Sequence, residues 1–363
     1  NALQQALFWV YERNRLDGHT STVWQVQFMN QGQQLVSVSA DGTLRLWQAD
    51  GTLINTLNGN DAPFQAVALS PDQSVIAAVD SDGFAYLWRQ DGTLVDRWSA
   101  HDQSLRAVAF SPDGQTLATA GEDAMGKVWH WQNGTLRQSF SSDRGGIQSI
   151  LFSADGQTVI SGDEGGWLHR WSIDGPLLNS TQAHRGPITS IALDPEGQAL
   201  AVASHDRTVS LWMVEAATLT ETQRFKAHDE PLNVVQFTPD GAYLLTGGMD
   251  FAVHIWTRAG DLHKTLLGHT GQVTTIAVHP DGQTFATAGS DRTIRMWNTH
   301  RPHLKALRGH QARVNGLAAS PTADELASAS DDNTLKIWQF DGQLLNTLTG
   351  HAGPVLAVDF NDD

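Results

Sequence analysis

The 363-residue chain has no cysteine. Disulfides, thiolate nucleophiles and zinc sites built on cysteine are excluded with it. Basic residues are scarce: 23 Lys and Arg stand against 39 Asp and Glu, for a formal net charge of −16. Such a surface repels phosphate backbones and anionic bilayers, so neither nucleic-acid nor membrane binding is expected. No apolar run approaches the ~20 residues needed to span a bilayer. The N-terminus has no basic start followed by an apolar stretch and a small-residue cleavage site. A cytoplasmic location fits these absences. No glycine-rich phosphate loop ending in Lys-Ser/Thr occurs, so no ATP site and no cofactor are expected. Metal ligation needs three or four converging donors, and nothing in the histidine spacing requires that.

What the chain does have is a repeat. Eight tryptophans, Trp47, Trp88, Trp129, Trp171, Trp212, Trp256, Trp297 and Trp338, end eight similar segments, with successive gaps of 41 to 44 residues. Nineteen residues before each lies Phe28, Leu69, Phe110, Phe152, Leu193, Phe237, Val278 or Ala319. Nine residues earlier again comes His19, Asn60, His101, Asp143, His184, His228, His269 or His310. These intervals never vary, and all length variation falls after the tryptophan, where a surface loop absorbs it.

Each unit reads as four short strands. In the third, Leu105 to Phe110 alternates apolar and polar, and Ser111-Pro112-Asp113-Gly114 makes a tight turn. Thr116 to Ala120, Lys127 to Trp131 and Thr135 to Phe140 follow, with turn signals between them. Four antiparallel strands in ~41 residues make one propeller blade, and a blade buries both faces only by stacking on others around an axis. No window of the repeats holds a helical apolar period.

The Gly-His pairs at Gly18-His19, Gly268-His269, Gly309-His310 and Gly350-His351, the Ser-Pro-Asp-Gly turn, and the aspartate six residues before tryptophan resemble the WD-repeat family over residues 18 to 360. The residue after tryptophan departs from the family's second letter, as at Gln48, Asn298 and Gln339. The resemblance implies an all-β, closed β-propeller of four-stranded antiparallel blades over residues 12–363, after an N-terminal helical or linker segment, 1–11. Eight complete sets of inner strands are present, so an eight-bladed ring closed by the outer strand Glu12 to Leu16 is the reading adopted. Seven blades, with the eighth unit starting something else, is the alternative. His351 to Phe360 reads as the innermost strand of a further unit, and the surplus suggests a piece of a longer repeat protein.

The resemblance also implies a structural tetrad in each regular blade, in which tryptophan, hydroxyl, histidine and aspartate hydrogen-bond in series. These are His19, Ser37, Asp41, Trp47; His101, Thr119, Asp123, Trp129; His228, Thr246, Asp250, Trp256; His269, Thr287, Asp291, Trp297; and His310, Ser328, Asp332, Trp338. Five evenly spaced copies of Ser/Thr, His and Asp are read as architecture and not as a hydrolase triad. Blade two has Asn60 and Ala78, blade four Asp143 and Gly165, and blade five Val202 in place of tetrad members. These three are expected to be the less rigid blades.

The family implies a non-catalytic protein–protein interaction scaffold that binds other proteins or peptides. Similarity to long bacterial repeat proteins adds a sensing or regulatory role in a larger signalling protein, with a fused signalling domain outside this chain. The partner face is carried over at two positions per unit: Trp24, Gln65, Arg106, Gln148, Thr189, Asn233, Thr274 and Asn315, and Ala40, Ser81, Glu122, Glu164, His205, Met249, Ser290 and Asp331. Trp24 and Arg106 are the residue types that dominate interface energies. The alternatives are an enzyme or a small-ligand or carbohydrate-binding propeller using the central channel. The only carboxylate cluster outside the repeat symmetry, for acid–base work, is Asp143, Asp163 and Glu164. Trp131 and Trp167 lie beside the repeat pattern, as gap fillers or as a second apolar patch.

Overall fold

The computed structural model describes residues 12–358 and 360, apart from 216–217, 299–308, 321–324 and 340–342. The expected helix or linker at 1–11 lies outside the described residues. Among those described there are eight four-stranded antiparallel sheets, and the sole helical element is a 3-10 turn at Asn30–Gly32. Among the described residues no helix is long and apolar enough to cross a membrane. The chain divides into two compact units, Arg13–Trp297 and Asn298–Asp363 together with Asn1–Glu12.

Burial within each sheet explains its sequence. In the third sheet the second strand, Leu117–Gly121, is buried throughout. It is therefore a run of small and apolar residues without alternation, as a strand covered on both faces must be. The innermost strand, Leu105–Phe110, is half-buried, and the outer strand, Thr135–Ser141, is largely exposed. Buried clusters join one sheet to the next: one holds Trp88 with Phe64, Val67 and Val38, and another holds Trp129 with Val79, Leu87 and Val108.

The turn before each third strand needs a left-handed residue. At Gly83 φ is +85° and a Cβ would lie 2.2 Å from the His101 carbonyl oxygen. Ala124 takes the same turn position at φ 60°. Gly83→Ala is expected to cost about 2 kcal/mol or more, because the strain comes with a backbone clash. Ala124→Gly should be neutral or stabilising, and urea unfolding of the two variants checks the contrast.

Strand pairing corrects the expected ring. The N-terminal strand Glu12–Leu16 does not join the eighth set; it pairs with Ile294–Asn298 and completes the sheet of Val273–Val278 and Thr284–Gly289. In the larger unit, innermost strands lie side by side in the order of the chain, and the seventh, Val273–Val278, lies against the first, Val23–Met29. Side-chain-to-backbone bonds stitch this circuit. Gln27 Nε2 donates to Val67 O (3.1 Å), Asn233 Nδ2 to Val273 O (2.9 Å), and Thr274 Oγ1 to Val23 O. The Phe28 ring meets His279 edge-on at 5.0 Å. The circuit of neighbours in this unit thus has seven members. Counting repeats could not reveal this, because every outer strand matches every third strand equally well and only packing selects the pair.

The eighth sheet, Val314–Ala319, Glu325–Ser330, Leu335–Gln339 and Leu344–Leu348, belongs to the other unit. There Asn315 Nδ2 donates to Val355 O (3.2 Å) and Val355 N to Ser330 O (3.0 Å). The expected ninth inner strand at 351–360 forms no strand ladder among the described residues.

Candidate functional site

The recurring polar residues form chains of hydrogen bonds inside the sheets. Trp47 Nε1 donates to Ser37 Oγ at 2.8 Å, His19 Nε2 lies 2.8 Å from the same oxygen, and His19 Nδ1 lies 2.8 Å from Asp41 Oδ2. The directions follow from the donors available: indole N–H to hydroxyl, hydroxyl to imidazole, imidazole N–H to carboxylate. The same arrangement stands in the blades of Trp129, Trp256, Trp297 and Trp338, with indole-to-hydroxyl distances of 2.7 to 2.9 Å. The Ser37 hydroxyl belongs to a fully buried residue. It is spent on Trp47 and His19, so this Ser-His-Asp series presents no nucleophile to a substrate.

The three departing blades rebuild the network from one further position, two residues before the tryptophan. That position pairs directly with the hydroxyl position across the sheet: Val202 with Ser210, Ser161 with His169, Ala78 with Tyr86. In blade five, Ser210 Oγ takes the Trp212 N–H (2.7 Å) and faces His184 Nε2 (2.8 Å), so the tetrad that Val202 seemed to break is complete. In blade four the carboxylate is Asp163, which lies 2.8 Å from His169 Nε2 and accepts from Ser142 Oγ (2.7 Å) and the Trp167 backbone N–H (2.8 Å). In blade two Asp80 accepts from the Tyr86 hydroxyl at 2.9 Å, and Tyr86 stacks on Trp88. The premise that these blades lack network partners is therefore corrected. The signal was in the sequence: regular blades carry Arg45, Lys127, His254, Arg295 or Lys336 at this position, and the departing ones carry Tyr86, His169 and Ser210.

Burial holds His19 and His101 below the ordinary histidine value of 6.5, outweighing their aspartate partners. Burial alone would raise Asp41, Asp206 and Asp291, but hydrogen bonds from histidine, threonine and backbone N–H hold them well below 3.8. All these folded-state values are depressed, so the unfolded chain takes up protons first and stability falls as pH falls. Urea midpoints should drop below about pH 6.5 as the histidines titrate in the unfolded chain, and drop further below about pH 4 as the aspartates follow. A midpoint that rises between pH 7.5 and 5.5 would contradict this.

The first partner-face position has a structural cause. In every sheet the innermost strand shifts register after its first residue: between Val23 and Gln25, Phe64 and Ala66, Leu105 and Ala107, and likewise in the rest. The skipped residue is Trp24, Gln65, Arg106, Gln148, Thr189, Asn233, Thr274 or Asn315. A β-bulge re-aims its side chain, and seven of these residues line one cavity of ≈ 560 Å³ in the larger unit. Asn315 lies in the other unit, bonded to Asp331 Oδ1 at 2.5 Å.

The second position supplies the rim. Arg106 forms an ion pair with Glu122 and donates to Gln65 Oε1 at 3.1 Å. Gln148 Nε2 donates to Glu164 Oε1 at 2.9 Å, and His205 hydrogen-bonds Asn233. Glu122, Glu164 and Ser290 are exposed, whereas Ala40, Ser81, His205 and Met249 are half-buried. The Trp24 indole N–H is buried at this mouth with no hydrogen-bond partner.

The remaining candidates are accounted for within the fold. Asp163 is buried in its network, Asp143 is exposed beside Arg144 (3.2 Å), and Glu164 is bonded to Gln148, so the three do not share an acid–base site. Among the described residues one trio, His228, Asp250 and His254, brings donors within 4.8 Å of one another. Its imidazoles stack in parallel at 4.1 Å, and their nitrogens serve Asp250, Thr246 and the Ala227 carbonyl. Trp131 donates to Gly114 O and packs on Phe110, while Trp167 lies under Arg144. They are at opposite ends of their sheets and share no patch.

The comparisons agree with this architecture. The family described as "WD domain, G-beta repeat" matches residues 11–48, 51–89, 92–130, 175–213, 219–257, 260–298 and 301–339. The longest stretch left unmatched, 131–174, contains the fourth tryptophan and its displaced network. The first six matches each begin with the outer strand of one sheet and end at the third strand of the next, which is why the first carries the strand that completes the seventh sheet. A "WD repeat-containing protein 26 homolog" of Arabidopsis thaliana is 43% identical over 61 residues, which is 16% of this chain and 10% of that protein. With seven matched repeats covering most of its length, the chain belongs to the WD40 repeat family.

Proposed function

We propose that the seven sheets of the larger unit act as a closed, non-catalytic propeller that binds other proteins or peptides at the mouth formed by the bulge residues. One observation carries the reading. Seven structurally equivalent side chains converge on a single opening, and one of them is a tryptophan whose buried N–H lacks an acceptor. Leaving such a donor unpaired costs about 1–3 kcal/mol, a cost that a partner carbonyl or carboxylate would remove. Arg106 and the Glu122 rim add polar recognition beside it. Proteins matching this family commonly work as interaction scaffolds, and a cytoplasmic, regulatory role within a larger signalling protein accords with the acidic surface.

Affinity purification with the wild-type chain and with Trp24→Ala plus Arg106→Ala tests the surface. Partners bound there should be recovered at least about tenfold less well by the variant, as expected for losing two anchor residues. Identical partner sets from both would reject this face. A small-ligand or carbohydrate reading draws on the same cavity, whose ≈ 560 Å³ lies within the range of small-molecule sites. A sugar-dependent rise in melting temperature that Trp24→Ala abolishes would favour that alternative.

A further inference from the structure

A backbone nitrogen attacks the side-chain amide of the preceding asparagine most easily when it belongs to glycine, which puts no Cβ beside the attacking atom. The chain has three such pairs, Asn58-Gly59, Asn133-Gly134 and Asn315-Gly316. The fold treats them differently. Asn58 ends the strand Leu53–Asn58, where it pairs with Thr43, and a Cβ on Gly59 would lie 2.8 Å from the Phe64 ring. Asn315 is held within the strand Val314–Ala319, with its Nδ2 donating to Asp331 Oδ1 and Val355 O. A Cβ on Gly316 would lie 3.0 Å from Ala357 Cα. Neither pair can bring nitrogen and amide carbon together without first opening its strand.

Asn133-Gly134 lies instead in the turn between the third and outer strands of blade three, Met125–His130 and Thr135–Ser141. Asn133 is exposed, Gly134 takes φ +65°, and no atom lies within 4 Å of where its Cβ would stand. Asn133 N donates to His130 O at 3.3 Å, which pins the start of the turn, while no backbone bond engages the Gly134 N–H. Two donors meet on the Asn133 side-chain oxygen: Thr135 N at 3.1 Å and Thr135 Oγ1 at 2.6 Å. The ring closed by the first of these bonds encloses Gly134 and folds the Asn133 amide back over it. Both donors point at the oxygen on which negative charge gathers when a nucleophile adds to the amide carbon, the arrangement that stabilises an oxyanion.

We propose that Asn133 is a site of intramolecular deamidation, assisted by the two donors of Thr135. Gly134 N gives its proton to a base in solvent and bonds to Asn133 Cγ. The Cγ–Nδ2 bond breaks, and the amide nitrogen takes a proton from water and leaves as ammonia. Water then opens the five-membered imide, at Cγ to give aspartate or at the Asn133 main-chain carbonyl to give isoaspartate. The net change is one water consumed and one ammonia released. Either product places a new carboxylate in the turn. Isoaspartate also routes the main chain through one more carbon just before the outer strand.

Incubating the full chain at about pH 8.5, where base removes the attacking nitrogen's proton more readily, tests this. Peptide mass spectrometry follows all three pairs, with water labelled in its oxygen to mark each hydrolysed imide. Asn133 should convert at least about tenfold faster than Asn58 and Asn315, whose strands must open first. In denaturing urea the three rates should converge. Thr135→Val removes the hydroxyl donor and should slow Asn133 about fivefold, less than in an enclosed site because solvent competes for the oxygen. Thr135→Ser keeps the donor and should retain the wild-type rate, with circular dichroism showing the same fold in both variants. Equal rates at the three pairs in the folded chain overturn the proposal, as does a gap between them that persists in urea. So does a wild-type rate in Thr135→Val, or a rate in Thr135→Ser as slow as that of the valine variant.

Discussion

Asp163→Ala is expected to lower unfolding free energy by about 3–5 kcal/mol, the largest effect of any single substitution considered, because it breaks a fully buried charged network from one side. The His169 ring, the Ser142 hydroxyl and the Trp167 backbone N–H all aim at that carboxylate. His169 and Ser142 are themselves buried and have no water to turn to when it is gone. Hydrogen bonds from these donors hold Asp163 below the usual carboxylate value despite its burial, so it is ionised in the folded protein. The control is the residue that stands where other repeats place histidine. Asp143 is exposed, so Asp143→Ala should change stability by no more than about 0.5 kcal/mol. Urea unfolding of the two variants measures the contrast directly. Equal effects would mean that the carboxylate of blade four has not moved inward as described.

Ser210→Ala should cost about 2–3 kcal/mol, since it strands two buried donors and acceptors at once, the Trp212 N–H and His184 Nε2. A rescue separates this from generic damage. Val202 is the direct cross-strand neighbour of Ser210 and holds the position from which six other blades supply their hydroxyl. Adding Val202→Ser to Ser210→Ala should therefore recover at least about 1 kcal/mol, whereas Val202→Ser in the wild type should destabilise by removing buried apolar surface. If the double variant is simply the sum of the two losses, the hydroxyl is not interchangeable across the pair and the network account of blade five is wrong.

These two blades show how far a repeat can be read. The register of histidine, hydroxyl, aspartate and tryptophan was legible in regular units because each network member sits at a fixed interval. In the departing units the intervals failed, yet the chemistry persisted, because a network needs donors and acceptors at points in space and not at points in sequence. Two residues facing each other across a strand pair can trade the same hydroxyl. Tyr86, His169 and Ser210 occupy a position that otherwise holds a basic residue, and that anomaly was visible before any coordinates. What it compensated for was not.

The mouth divides in the same way. The family positions identified Trp24 to Thr274 as equivalent, but the reason for their equivalence is the register shift that leaves each unpaired at the start of its strand.

The sequence by itself determined the element type, the four-stranded unit, the buried polar series in regular blades and the acidic surface, because periodicity, turn chemistry and charge are local properties. Tertiary packing alone decided that Glu12–Leu16 completes the seventh sheet, that seven sheets form the circuit while the eighth belongs elsewhere, and which side chains replace the missing network members. Those outcomes depend on how many twisted sheets fit side by side and on which atoms then meet across strands, and neither quantity is written in the spacing of residues along the chain.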